Sequence, residues 1–592
     1  MRVNLLNAAI NALCDETRET AIPEYESFEC FHRVCAAFIF ASSMKTEEEI
    51  LSAETKLCYT YNILGHCSTS KAVPIIFQKV WYCMKGNTAL LSRVILIILL
   101  FSCISLTAPA EGEEIGRIVI TTVHQGEGAM DFVMLPVAGH VSKQIATWTP
   151  DYVFPPEPYY EDCLISVYDE SGEMVIDEEM AEVKVRGNWT TSYPKKPLRI
   201  RFDKKQSMLD LNGGEEYKNW NLLAEYKDGS MLRNKTALTI ANGILAPEGL
   251  YASDCKLVEV EINGEYMGVY LLTEHQQVNE GRVEVNEPEK DYEATDIGYF
   301  LEFDAYAENE PDLNRFSMSY AGGVKLTPFD GNGGSGKTQS ATTGGITIKS
   351  DIYSFRQRDF IADYVNDVFR ILYNAAYRDE AYIFNDKFTR IKRTKDITPQ
   401  EAVERVINVD SLACMYIINE IACDADIYMS GVFMSADFSE GGDTRISFHA
   451  PWDFDSALGN KNRCINGTGF HAANIVYDVN DNFTSINPWM AVLIYEDWFR
   501  EIIMEKWTEA YDAGVFDNAL CMISDDAERY ADAFTRNYDK WNNLIDNGEF
   551  AHELSQASKQ CVTHKEAADS LYAWLKARID FLNEQFYLAK TE

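Results

Sequence analysis

Positive charge is scarce in this chain. Lys and Arg total 53 against 92 Asp and Glu among 592 residues, a formal net charge of -39. Such a surface repels nucleic acid and anionic membranes, which both need a positive footprint, so no nucleic-acid partner is expected. Cysteine is not concentrated anywhere in a metal-binding pattern. Residues 1–83 hold six of the 14 cysteines without a C-x-x-C or His/Cys spacing that zinc would want. After Ala110, Cys163, Cys255, Cys414, Cys423, Cys464, Cys521 and Cys561 are widely spaced and odd in number, which argues against a disulfide framework and leaves room for one or two bridges. No internal repeat and no low-complexity tail is visible. What remains is a globular composition, 46% hydrophobic and 12% aromatic, long enough for two or three domains and a large core.

Long apolar runs are also missing, with one exception. MKGNTALLSRVILIILLFSCISLTAPAEG, from Met84, places Lys85 and Arg93 before the apolar stretch Val94–Leu106, then the small-x-small pattern Ala108-Pro109-Ala110. That order reads as a secretory signal peptide over 84–110, too short for a comfortable membrane span. The expectation is an initiator at Met84, with 1–83 an upstream artefact of the gene model, and a protein exported from a bacterial cell without a transmembrane anchor. Two alternatives stand beside it. One is a short cytosolic domain with a membrane anchor. The other is a lipoprotein site at Leu100-Phe101-Ser102-Cys103, with the lipid on Cys103.

The rest of the chain divides by periodicity. IGRIVITTV, DCLISVYDESGEMVI, AEVKVRG and PLRIRF alternate apolar and polar residues, as antiparallel strands do. KLVEVEINGEYMGVYLLTE reads as a hairpin turning at Asn263-Gly264. Between them, the second half of NWNLLAEYKDGSMLRNKTALTIANGI has helical spacing, with Asp228-Gly229-Ser230 as its start signal. Residues 111–350 are therefore expected to be a β-rich lobe with one embedded helix. From Tyr353 apolar residues recur at i, i+3, i+4, i+7, so 351–592 is expected to be mainly helical, interrupted by one strand-like insertion, VFMSADF…TRISFHAPWDFD. The fold class is α+β, with a cleft between the lobes.

Gly331–Thr338, GNGGSGKT, fits the phosphate-cradling pattern G-x-x-x-x-G-K-[ST]. Its flanks do not. A P-loop follows a buried strand and opens a helix, so that amides and helix N-terminus converge on phosphate. Here Pro328 stands before it, and QSATTGGITIKS after it leads into a strand. It reads as a Gly-rich loop bordering the cleft.

The few cations cluster. Lys184, Arg186, Lys195, Lys196, Arg199, Arg201, Lys204 and Lys205 fall within one short stretch. On PLRIRF, Leu198, Ile200 and Phe202 face one way and Arg199 and Arg201 the other. Such a face suits phosphate, or else pairs with the protein's own carboxylates. The acidic counterpart is CDADIY, with Asp424 and Asp426 after an apolar helix, and PWDFDSALG, with Asp453 and Asp455 after an apolar strand. Carboxylates at D-x-D spacing suit a hard cation such as Mg²⁺. A cation on the phosphates, one Asp as base and another on the metal is the division of labour in a kinase.

The ordered segments VRGNW…YPKKPLRIRF, NWNLLAEYKDGSMLRNK, VEVEINGEYMGVYLLTEH, NEIACDADIY and PWDFDSALG resemble the spore-coat protein H (CotH) kinase family from about residue 115 to 590. The resemblance implies a two-lobed, protein-kinase-like fold and a secreted atypical kinase that phosphorylates protein Ser/Thr using ATP and Mg²⁺ or Mn²⁺. It implies Asp426 as catalytic base and Asp453 as main metal ligand, with Asp455 second. Arg186, Lys195 or Lys196, Arg199 and Arg233 would face ATP phosphates, and Leu271–His275, which includes Glu274, would form the hinge under adenine. One departure stands out. The family's metal-binding Asn, five residues after the catalytic Asp, is Gly431 here, and its Asn-x-Asp is Asp424-Ala425-Asp426. Either Asp424 supplies the missing oxygen or the protein is a non-catalytic surface or coat pseudokinase. A third reading, a glycoside hydrolase with paired carboxylates, predicts an exposed Trp beside them, and Trp452 adjoins Asp453.

Overall fold

The alternating segments do form strands, and they close on themselves. The computed structural model describes residues 115–588 apart from 331–337, 342, 429, 463–466, 479–482 and 545–552, all within the unit Gly112–Glu592. Residues 1–83, the leader-like segment 84–110, Cys464 and the Gly-rich motif as far as Lys337 lie outside the described residues. Strands β1 (Gly116–Thr122), β2 (Glu161–Tyr168), β3 (Met174–Val185), β4 (Leu198–Gln206), β5 (Tyr217–Leu223), β6 (Cys255–Ile262) and β7 (Glu265–Glu274) make a closed barrel in the order β1-β2-β3-β4-β5-β7-β6. Antiparallel pairs build it, and one parallel pair, β1 with β6, closes it, placing Ile118 opposite Val260 and Ile120 opposite Ile262. The alternation supplied the strands but not the closure, because closure is a pairing between segments far apart in the chain.

Inside the barrel lie Ile118, Ile120, Val183, Ile200, Phe202, Trp220, Leu222 and Val260, all buried. Each large apolar side chain removed from water contributes about 1.5–3 kcal/mol. The β6–β7 turn is a two-residue connection with Asn263 at φ 51° and Gly264 at φ 79°, the doubly left-handed turn that Asn-Gly favours. The embedded helix runs Arg233–Leu245. The Asp228 carboxylate caps its approach, accepting from the amides of Ser230 (2.8 Å), Leu232 (3.1 Å) and Arg233 (2.9 Å). Two shorter helices, Asp131–Met134 and Gly139–Ala146, also lie in this region.

A second, five-stranded antiparallel sheet runs in the order Ser447–His449, Val432–Asp437, Gly298–Phe303, Gly345–Ile348, Arg315–Ser317. It takes strands from both sides of residue 350, and the strand-like insertion at 432–449 is one edge of it. Long helices Phe355–Arg378, Val409–Ala422, Asp497–Asp512, Val515–Arg529, Ala531–Trp541 and His564–Phe586 make the C-terminal part mainly helical. Helix Val409–Ala422 is apolar around its circumference and buried from Ser411 onward, as such a helix must be. Past Thr338 the chain forms short strands, Gln339–Ser340 and Gly345–Ile348, and no helix, so the flanks are not those of a P-loop. Among the described residues no disulfide joins two cysteines. No helix among them is long and apolar enough to cross a membrane.

Candidate functional site

Two chain segments bring the carboxylates together. Helix Val409–Ala422 stops because Cys423 adopts a left-handed backbone, φ 47°. The chain then turns through Asp424 and Asp426, with the Asp426 amide donating to Asp424 Oδ1 at 3.0 Å. From the other side, strand Ser447–His449 runs into Ala450 (φ 54°), and Asp453 is itself left-handed at φ 71°. A non-glycine residue in that region costs about 1–3 kcal/mol and persists only where its surroundings enforce it. Here Asn234 does so: its Oδ1 accepts from the Phe454 amide at 2.7 Å, tying Asp453 and Asp455 to the embedded helix.

The four carboxylates feel one another. Burial, with Asp455 and Asp426 adding, pushes the Asp453 carboxyl up to about 7, against Arg186 and Lys227. Asp453 is nonetheless reached by solvent. Water touches one side of the group while protein occupies much of its surroundings. Burial and then Asp426 hold Asp424 well above the usual carboxylate range, with Asp453 adding and Lys461 opposing. Buried Lys227 keeps its charge because Asp455, Glu553, Asp426 and Asp453 surround it, and they outweigh the burial that works against it. Lys227 stands 4.0 Å from Asp455, and Lys461 stands 3.6 Å from Asp426 and 3.5 Å from Glu553. Among the described residues no three His, Cys, Asp or Glu side chains form a ready-made metal cluster. The donor set still fits Mg²⁺, which takes one or two carboxylates and completes its shell with water and phosphate oxygens.

Opposite the carboxylates, the basic stretch divides. Arg186 lies over the Trp452 indole at 5.5 Å and makes no ion pair among the described residues. Burial depresses its basicity, Asp453 and Glu302 oppose that, and neighbouring Arg199 adds to it. Gly187 enables the turn there: its φ is 93°, and a Cβ would stand 2.5 Å from Thr190 Oγ1. Arg199 donates Nη2 to Asn219 at 3.0 Å, while its buried Nε has no partner. Several of the other cations engage the protein itself. Arg201 pairs with Glu182, and Lys204 stands 3.9 Å from Glu179. Lys195 is buried under Tyr270 and donates to the Val269 carbonyl and to Asn537 of helix Ala531–Trp541. Lys196 donates to the Thr191 carbonyl, and burial pushes its ammonium down to about 8. Arg233 pairs with Asp228 in the interior, and Glu274 pairs with Arg282 at 3.0 Å. So Arg186 is influenced by Asp453, and Asp453 in turn by Asp455 and Asp426. The structure puts Arg199 beside Arg186 and His275, whose imidazole burial and these cations hold well below its usual value. Lys195, Arg233 and Glu274 it engages in interior pairs.

Several residues were not singled out from sequence. Lys227 had a readable signal, since it lies in the quoted segment EYKDGS, whereas Lys461 stands two residues past the quoted PWDFDSALG. Tyr306 had none. Its hydroxyl is raised by burial, with Asp426 and Asp453 adding, and His140 stands 5.3 Å from its ring. A buried anchor lies beneath Asp424. Glu420 pairs with Arg578, both 0% exposed, and accepts from the amides of His471 (2.7 Å) and Ala472 (2.9 Å). His471 Nε2 in turn donates to the Asp424 carbonyl at 2.7 Å.

A closed barrel, a mainly helical C-terminal part and four aspartates on the ends of two segments are the features against which a family assignment is read. The family model described as CotH kinase protein matches residues 183–582, and the chain belongs to that family. The match takes in all four aspartates and Arg186. Membership implies, at the family level, ATP and a divalent metal. No curated protein matches the chain.

Proposed function

We propose that the protein is an extracytoplasmic kinase that transfers the terminal phosphoryl group of ATP to Ser or Thr hydroxyls of secreted or surface proteins. On this reading the barrel with its helix and the helical part act as the small and large lobes of a kinase. The observation that carries it is the convergence of Asp424, Asp426, Asp453 and Asp455, each pair ending a different element, with Arg186 influenced by Asp453. Asp426 accepts the proton of the acceptor hydroxyl. The hydroxyl oxygen forms the new bond to phosphorus, the bond from phosphorus to the β,γ-bridging oxygen breaks, and its electron pair leaves on ADP. Asp453 and Asp455, with Asp424, would hold Mg²⁺ or Mn²⁺, which neutralises phosphate charge when bound. Arg186 and Arg199 orient the phosphates.

A non-catalytic role as a surface or coat protein is the second reading, favoured by Gly431, which brings no side chain to the metal position. The glycosidase reading finds little support: Trp452 is 8% exposed and lies under Arg186, so it offers no open sugar platform. The test is transfer from labelled ATP by the full chain with Mg²⁺ or Mn²⁺, beside Asp426→Ala. The expected loss is at least about a thousandfold, the scale of a missing acid–base group together with its orientation. A folded wild-type protein that neither labels a target nor shifts its melting temperature with ATP belongs to the second reading.

A further inference from the structure

Away from the aspartates, five cations fall within nine residues of one hairpin. Lys387, Arg390, Lys392, Arg393 and Lys395 are all exposed, and no acidic residue interrupts them. Arg393 pairs with Glu380 at 2.9 Å. The other four meet no carboxylate among the described residues, in a chain whose net charge is -39. The hairpin itself is firmly held. Strands Ala381–Phe384 and Ile391–Thr394 pair antiparallel, with Phe384 opposite Ile391 and Ile383 opposite Lys392. In the turn, Asn385 Oδ1 accepts from the amides of Thr389 (2.9 Å) and Arg390 (3.3 Å). One face is anchored by rings: Phe384 stacks on Tyr364 of helix Phe355–Arg378 at 5.0 Å, and Phe388 meets Phe438 at 5.3 Å. Alternation turns Lys392, and Arg390 two residues before it, to the opposite face. Among the described residues no further strand occupies the outer edge of Ile391–Thr394.

We infer that this hairpin docks an acidic, extended polypeptide segment laid along strand Ile391–Thr394. An added strand pairs its main chain with the edge. Arg390 and Lys392, about 7 Å apart on one face, meet carboxylates at alternate positions of that strand. Asp379, Glu380, Asp386 and Asp396 bracket the cations. A narrow strand lies on the cations alone, whereas an anionic bilayer or a nucleic-acid duplex is pressed against those carboxylates and the acidic surface beyond them. Calling the docked chain a substrate rests on the kinase reading. Strand Val432–Asp437 runs between the two places. It starts beside Gly431, where a Cβ would lie 4.0 Å from Asp424 Oδ2, and it ends next to Phe438, the ring that Phe388 meets. Its five residue steps span about 17 Å. The acidic segment of a substrate and the hydroxyl that receives phosphate are therefore separated by at least about five extended residues.

The full chain is titrated with a fluorescent decapeptide of alternating Glu and Thr, beside one of alternating Lys and Thr, phosphatidylglycerol vesicles and a single-stranded DNA decamer. Wild type should bind the Glu peptide best, and more weakly as salt rises. Arg390→Gln with Lys392→Gln should weaken that binding roughly tenfold, the size of two exposed ion pairs. Arg390→Lys with Lys392→Arg should keep most of it. Lys204→Gln with Lys205→Gln removes the same charge from exposed positions of β4 and should change nothing. Equal losses in the two Gln pairs would mean net charge alone and overturn the assignment. So would tighter binding to vesicles or DNA, or no wild-type binding of the Glu peptide. Cations that only guard an open edge against aggregation would leave binding unchanged when removed, which also overturns it. Transfer from ATP is read separately, on a peptide with a Ser six residues past the Glu-Thr segment. There Arg390→Gln with Lys392→Gln should raise KM by the same factor and leave kcat alone. If the Glu peptide binds and nothing is phosphorylated, the kinase reading falls and the hairpin keeps its partner. If wild type phosphorylates and the hairpin pair alters neither binding nor KM, the kinase reading stands and the hairpin loses its role.

Discussion

Asp424-Ala425-Asp426 follows Cys423 at φ 47°, and Asp453-Phe454-Asp455 opens on Asp453 at φ 71°. In each segment one carboxylate has a buried lysine, Lys461 near Asp426 and Lys227 near Asp455, and the other, Asp424 or Asp453, is held above its usual range. The anchoring differs. Ion-paired Glu420 and Arg578 sit beneath the first segment, with His471 bound to its Asp424 carbonyl. Neutral amides hold the second: Asn234 takes the Phe454 amide and Asn460 takes the Asp455 carbonyl. A buried charge leaves its partner uncompensated when removed, and a buried amide leaves one unmet hydrogen bond. The segment with the proposed base is therefore the more costly to release.

The largest predicted effect breaks that difference. Arg578→Met strands Glu420 at 0% exposure and should cost about 3–5 kcal/mol in denaturant unfolding. Asn460→Ala should cost about 1–3 kcal/mol. Adding Glu420→Gln to Arg578→Met should restore much of the loss, because it removes the stranded charge. A single Arg578→Met no more harmful than Asn460→Ala would show that the two anchors are equivalent.

A second prediction sharpens the electrostatic likeness. An unfolded aspartate titrates near about 3.9, whereas burial and its neighbours hold Asp453 up to about 7. Between those values the native state binds more protons than the unfolded state, so the Asp453 contribution makes stability fall as pH rises. In EDTA, Asp453→Asn should raise the melting temperature more at pH 8 than at pH 5. Mg²⁺ should stabilise wild type at pH 8 and do much less for the variant. A melting difference that is flat with pH would remove the electrostatic account.

Local features were the legible ones. The Asn263-Gly264 turn, the alternation of PLRIRF, the capping Asp228 and the two D-x-D pairs each show in a few adjacent residues, and the structure has each where expected. The family resemblance rested on the same short segments. What stayed hidden depends on distant pairings. The parallel β1–β6 contact that closes the barrel is one case. Another is the basic stretch: charge alone does not tell a phosphate-facing arginine from one that meets a carboxylate. Arg186 ends over Trp452 while Lys195, a few residues on, is buried against Asn537, and only the path of helix Ala531–Trp541 decides that.

The smallest predicted effect concerns the position where the two segments meet. Gly431 has φ 78°, and a Cβ there would lie 3.0 Å from the Trp452 carbonyl and 4.0 Å from Asp424 Oδ2. A side chain at 431 would thus point between the two segments, toward the carboxylate that lacks a lysine. Asn tolerates a left-handed backbone better than most residues, and its carbonyl oxygen is a ligand for a hard cation. Gly431→Asn should lower stability by about 1–2 kcal/mol for backbone strain and crowding. It should also tighten Mg²⁺ binding a few-fold in a thermal-shift titration. Gly431→Ala carries the same backbone and Cβ cost without the oxygen, so the Asn-to-Ala difference isolates the ligand. Equal Mg²⁺ affinity in the two variants would mean that Asp424 already supplies what the family's asparagine provides.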